Sequence, residues 1–324
     1  MRACRPQAGA KRFHLCSSEI NGNSAFCRLQ KIFKQMNQMK YFNFLIVTLM
    51  FLSLSCSKDD NPIEETPPIE ETQGYNMLLI GNSFFKPYAE NLDALAMDAG
   101  FENHHSTLVK RGGENGRPIN FWNDSTSQEH QLIKAVLDQG DIELFGMTSG
   151  HEAENPTEGH RAWIEYALHK NPDITIFIAT PCIDFPANWN QLVADNGFDS
   201  VQELYEYFID EIVHHNIVDE LRAEFPSTNI FTIPTGWAAI NLNQMHQDSL
   251  LLDDIDFMGP KPSSLFTDHK GHQGQIVIET GTLVWLNSIY DVDLSENNYE
   301  TGFNTNLHDI AQQIMDHHDS NYKQ

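Results

Sequence analysis

From residue 76 onward the chain alternates short apolar runs with amphipathic stretches, and this period limits what it can fold into more than any other feature. Residues 77–80, 105–109, 142–147, 174–179 and 230–234 read as strands, while 89–99, 128–137, 159–169, 200–224, 238–247 and 275–290 carry helical spacing. Strands separated by helices imply βαβ units and an α/β fold with a parallel sheet covered on both faces. The chain has 324 residues, 40% of them hydrophobic, enough for one large α/β domain, which we assign to 75–324. In such a sheet the loops at the carboxyl ends of the strands build the site, so chemistry is expected directly after the strands.

Two loops fit that expectation. Directly after the first strand stands Gly81-Asn82-Ser83-Phe84-Phe85. A serine at a strand-to-helix turn holds its hydroxyl at the sheet edge, and the helix N-terminus behind it offers N–H groups to a developing oxyanion. An ordinary helix cap is the competing reading. Near the far end, Asp268-His269-Lys270-Gly271-His272 precedes the last long apolar helix, 276–290. A nucleophilic serine needs a base, and the base needs an orienting carboxylate.

Together these blocks resemble the SGNH (GDSL-like) hydrolases, in the variant with asparagine before the serine. The resemblance runs from Asn76 to about Tyr290 and is specific only in its two end blocks. It implies a three-layer α/β/α fold with a parallel five-stranded, flavodoxin-like sheet, the SGNH hydrolase fold. It implies Ser83 as nucleophile, with its own N–H in the oxyanion hole, and a glycine of the 111–116 loop as second donor, for which Gly113 is the choice. The third block, usually Gly-X-Asn-Asp, reads Thr148-Ser149-Gly150-His151-Glu152, so Asn155 or His151 is left to supply the third donor. The last block departs as well: Asp268 stands one residue before His269 and four before His272, where the family spacing is three. His272 is the favoured base, because Gly271 lets the loop fold back toward the carboxylate; His269 is the alternative.

Fifteen histidines raise the question of a metal. The pairs His104-His105, His214-His215 and His317-His318 are adjacent, which does not put both imidazoles on one helical face, so they are expected to be solvated. A cluster of His151, His160, His269 and His272 is the metal-binding alternative; no metal and no cofactor is assigned. Trp189, in the Pro186-Ala187-Asn188-Trp189 loop, is expected to pack the loop, with a place in a sugar-binding cleft as the alternative.

The N-terminus points to export. Met39 and Lys40 open a basic start, 41–54 is an almost unbroken apolar run, and Cys56 follows directly. The run is short for a bilayer span and reads as a signal-peptide core, 39–55. A cysteine in that place resembles the lipobox of bacterial lipoproteins, although Ser53 stands where a branched apolar residue is usual. Cys56 is therefore the expected lipidation site, 56–74 a flexible acidic tether, and 1–38 an upstream mis-start or disordered segment. The expected location is the outer membrane or cell surface, anchored to lipid through Cys56.

Residues 1–55 hold eight of the 20 basic and one of the 45 acidic side chains, leaving 12 against 44, a formal −32. That charge repels phosphate backbones and argues against a nucleic-acid partner. With Cys56 acylated only Cys182 remains, so no internal disulfide forms and stability rests on the core. The leading expectation is ester hydrolysis on an acylated small molecule or polysaccharide, possible substrates being acetyl or other short acyl esters of carbohydrates. A non-catalytic glycan-binding lipoprotein with the same fold and a metal-dependent phosphoesterase are the alternatives.

Overall fold

Five strands, β1 (Asn76–Gly81), β2 (His105–Lys110), β3 (Leu144–Thr148), β4 (Thr175–Ala179) and β5 (Ile230–Ile233), pair in parallel in the order β2-β1-β3-β4-β5. Their runs are apolar on both sides because both faces are covered. In β1, Met77 and Leu79 enter one apolar cluster, Leu78 and Ile80 the other, and all four are fully buried. In β4, Phe177 and Ala179 go to the first cluster, Ile176 and Ile178 to the second. This computed structural model describes residues 73–150 and 155–324. The expected signal peptide, the lipidation site Cys56, the tether up to residue 72, and His151 lie outside the described residues.

The helices are α1 (Lys86–Asp98), α2 (Pro118–Asn123), α3 (Gln128–Leu137), α4 (Glu158–Leu168), α5 (Trp189–Asn196), α6 (Val201–Tyr207), α7 (Glu220–Glu224), α8 (Trp237–Gln247), α9 (Gln275–Tyr290) and α10 (Leu307–His317). Between α6 and α7 the stretch Phe208–Asp219 is π-helical, so the expected single helix over 200–224 is a composite. Ser200 starts it as an N-cap, accepting from the Glu203 N–H. Buried apolar residues of α1, α8, α9 and α10 belong to the first cluster and those of α2, α3 and α4 to the second, while the π-helical segment gives Ile209 to the first and Val213, Ile217 and Val218 to the second. The architecture is thus the expected three-layer α/β/α, and its strand order is the flavodoxin-like one, with a switch point between β1 and β3.

α9 is apolar all round and 13 of its 16 residues are buried, as expected of a helix packed on more than one side. Its hydroxyls from Thr280, Thr282 and Ser288 donate to carbonyls one turn back, each at 2.8 Å, so they carry no desolvation debt. Truncating the fully buried Trp285 at its centre removes enough packing to cost about 3–5 kcal/mol.

A parallel ribbon, β6 (Asp256–Met258) with β7 (Ser264–Phe266), and the helices α2, α5 and α10 are elements that the strand and helix periods of the sequence do not mark. The adjacent histidine pairs, expected to be solvated, are only half so. In each pair one ring is solvated and the other buried. His104 bonds Asp93 and the Tyr290 hydroxyl, while His214 and His318 both lie 3.1 Å from the Thr232 hydroxyl. Beyond β5, the Ile230 carbonyl accepts from the Arg222 guanidinium and the Thr232 carbonyl from His318 Nε2.

Candidate active site

β1 ends at Gly81, at the switch point, and the chain turns at once. The Asn82 side chain makes the turn: its Oδ1 accepts from the N–H of Phe84 at 2.9 Å and of Phe85 at 3.3 Å, while its carbonyl accepts from Lys86 at 3.0 Å. The Ser83 N–H carries no hydrogen bond among the described residues. Asn82 thus consumes the two donors after Ser83 and leaves the serine's own.

β7 leads into the second loop. Phe266 bridges Gln273 antiparallel, and the Thr267 N–H donates to the His272 carbonyl at 2.7 Å, so 267–272 closes as a hairpin-like loop. Gly271 sits at φ +99°, a conformation side chains resist. The closure aims three backbone N–H groups, of Lys270, Gly271 and His272, at Asp268 Oδ1 over 3.0–3.2 Å. The other carboxylate oxygen, Oδ2, accepts from His272 Nδ1 at 2.6 Å. Burial raises the Asp268 pKa, but the bonds from the His272 side chain and backbone outweigh it, and the carboxyl lies below its ordinary value.

The two loops meet. His272 Nε2 lies 2.8 Å from Ser83 Oγ, completing a chain from Asp268 through His272 to Ser83. With Nδ1–H held by the carboxylate, Nε2 is the free lone pair and the serine hydroxyl donates to it. His269, the alternative base, is exposed and makes no hydrogen bond or ion pair among the described residues. The spacing of four between Asp268 and His272 is absorbed by the tight loop at Gly271.

The other expected donors are placed less directly. Gly113 begins a 3₁₀ turn (Gly113–Gly116) at φ +57° and faces open space. The glycine of that loop pressed against the serine turn is Gly116, where an added Cβ would lie 2.7 Å from Asn82 Cα and the Gly81 carbonyl. Asn155 is exposed, and its carbonyl accepts from the Glu158 N–H. The structure brings no Asn155 hydrogen bond to the triad.

His160 is buried in α4 with Nε2 3.1 Å from the Thr148 carbonyl. Burial pulls its pKa down to about 4, against the partial support of the Thr148 and Pro156 carbonyls. It is thereby a neutral tie between α4 and the end of β3. Among the described residues no three His, Cys, Asp or Glu side chains converge as metal ligands. Trp189 packs its loop: it is 2% exposed, donates to the Ile183 carbonyl at 3.1 Å and meets Phe266 edge-on. Two aromatic residues touch the 267–272 loop: Phe84, which stands in the Gly81–Phe85 block but had no role of its own there, stacks on His272, and Phe185, which no spacing or motif marked, bonds Lys270. A small cavity of about 10 Å³ beside the serine turn is lined by Phe84, Phe85, Tyr88, Thr148, Thr180 and Trp285 among others.

No protein-family model and no curated relative matches the chain. Among solved structures it is similar to a DUF4886 family protein from Bacteroides uniformis ATCC 8492, at 12% identity over 76% of this chain and 96% of that one, with a TM-score of 0.51. It also matches the periplasmic domain of a lipopolysaccharide acetyltransferase from Salmonella ser. Paratyphi A, at 12% identity over 50% of this chain and 67% of that one, with a TM-score of 0.32. Among the described residues no helix is long and apolar enough to cross a membrane. At these identities the first likeness speaks to the fold alone: a five-stranded parallel sheet between two helical layers, consistent with an SGNH-like fold.

Proposed function

We propose that the chain is a serine ester hydrolase in which Ser83 is the nucleophile, His272 the general base and Asp268 the group that orients it. The observation that carries this reading is the unbroken hydrogen-bond chain, 2.6 Å from Asp268 to His272 and 2.8 Å from His272 to Ser83, at the carboxyl end of β1. Ser83 Oγ attacks the acyl carbonyl carbon while its proton passes to His272 Nε2. The tetrahedral oxygen is met by the Ser83 N–H. Collapse returns the proton to the leaving alcohol, and water repeats the sequence on the acyl-serine.

The substrate we propose is an acetylated carbohydrate, and the location a cell-surface lipoprotein held through Cys56; the support there is the apolar run 41–54 followed by cysteine and an acidic, proline-rich tether. A glycan-binding protein without turnover is the second reading, favoured by the absence of an Asn155 contact to the triad. Hydrolysis of p-nitrophenyl acetate by the full chain decides between them. The Ser83→Ala variant is expected to lose at least about 10³-fold in kcat, with no effect of a chelator on the wild type; equal rates for the two proteins sink the nucleophile assignment.

A further inference from the structure

Phe185 is the most strained and one of the most exposed large apolar side chains near the triad. Its backbone is left-handed, φ 58° and ψ 63°, and 49% of the residue is exposed. Its backbone bonds, N–H to the Lys270 carbonyl at 2.9 Å and carbonyl from the Asn188 N–H at 2.8 Å, are available to any residue. Asparagine or glycine would fill this conformation at lower cost. The phenyl ring stacks on no other aromatic ring among the described residues, so neither the turn nor the core accounts for it.

Its surroundings do. The Lys270 that it bonds is two residues before His272, and the next residue, Pro186, closes on Gly271, where an added Cβ would stand 2.8 Å from Pro186 Cδ. Lys270 Nζ lies 6.0 Å over the ring of Phe84, the residue after Ser83. Phe185 is therefore tied through its backbone and its neighbour Pro186 to the same loop that carries His272. It is flanked by an ion pair, Asp184 with Lys270 at 3.6 Å. An aromatic face rimmed by a carboxylate and an ammonium suits a sugar ring, whose C–H face packs on the phenyl while its hydroxyls reach the charges. An acyl chain would meet that rim unfavourably.

We propose that Phe185 is the platform on which a pyranose ring of the alcohol part of the substrate stacks beside Ser83. This rests on the ester-hydrolase reading above, and the test separates the two. Binding of acetylated xylotetraose and of an acetylated glucomannan oligosaccharide is measured by calorimetry on the full chain carrying Ser83→Ala, with and without Phe185→Ala, Phe185→Asn or Phe185→Trp. Removing the ring by alanine or by asparagine, which suits the left-handed backbone, is expected to weaken binding about three- to tenfold, while tryptophan retains it. With Ser83 intact, kcat/KM for acetylated xylotetraose should fall at least about threefold more than for methyl acetate on Phe185→Ala, the difference lying in KM. No binding of either oligosaccharide, equal losses on both esters, or a selective loss on p-nitrophenyl hexanoate overturns the proposal. Phe185-dependent binding in a chain that hydrolyses neither ester overturns the hydrolase reading and leaves the platform standing.

Discussion

The ring of Phe84 lies 4.9 Å from the imidazole of His272 and 19° from parallel, so the residue that follows Ser83 is also the surface against which its hydrogen-bond partner rests. Seating the imidazole on the serine's own neighbour ties the positions of the two reacting groups together. Phe84→Ala removes that seat, and kcat for p-nitrophenyl acetate should fall about ten- to hundredfold while Phe84→Tyr, which keeps the ring, retains most of it. Equal activity in all three proteins would show that the hydrogen bonds alone hold His272.

Asp268 fixes which nitrogen of His272 carries the proton. In Asp268→Asn the amide can still receive the backbone N–H groups through its oxygen but presents N–H donors to Nδ1. The imidazole is then driven to the tautomer with Nε2–H, which cannot accept from Ser83. We expect kcat to drop by about 10²–10⁴-fold with little change in Tm. Circular dichroism melts beside the kinetics separate this from unfolding; a kcat within tenfold of wild type rejects the tautomer argument.

His269 and His272 are three residues apart, yet the structure treats them oppositely. His269→Ala should leave kcat/KM within about twofold of wild type, whereas His272→Ala should cost at least about 10³-fold. Reversal of that order assigns the base to His269 and requires the 267–272 loop to rearrange on binding substrate.

Gly116 and Gly113 give a contrast in stability. Gly116→Ala drives a Cβ into the Asn82 backbone at 2.7 Å and should cost about 1–3 kcal/mol together with activity, because the serine turn must move. Gly113→Ala meets no atom and is opposed only by φ +57°, an expected loss of about 1 kcal/mol. Urea unfolding of both variants reads the difference, and a larger loss at Gly113 contradicts the packing described.

Buried neutral histidines make the fold sensitive to acid. The folded pKa of His160 is brought to about 4, from an ordinary 6.5, by burial, so between those values the unfolded chain binds a proton that the folded chain does not. Stability therefore rises with pH across that window and falls as pH drops through it, by about 3 kcal/mol in all for this one group. His214 and His318, brought by burial to about 3 and about 4, act in the same direction. Tm followed from pH 7 to 4 should decline, and less steeply in His160→Gln; parallel curves remove His160 from the account.

Local pattern made much of this readable in advance. Alternation of strand and helix periods located all five strands of the sheet, and the serine turn and the Asp268–His272 loop each lie within a few consecutive residues. What escaped was decided by packing between distant segments. Which ring of His214-His215 faces inward depends on Thr232 and Tyr322, over 15 and 100 residues away respectively. Gly116 rather than Gly113 abuts the serine turn because of how the 3₁₀ turn runs, and no composition signal separates them. Trp189, at the start of α5, is buried while Phe185, four residues earlier with a left-handed backbone, is half-exposed, a difference that nothing in the local pattern marks. The helix α10 went unread although Leu307, Ile310, Ala311, Ile314 and Met315 form a regular buried stripe.

The far side of the sheet ends in β5, whose outward carbonyls at Ile230 and Thr232 are already taken by Arg222 and His318. A second strand approaching there finds its acceptor row occupied by side chains of the same molecule. However crowded its surroundings, the protein thus offers no template for self-association along this edge, and opening it requires displacing a guanidinium and an imidazole together.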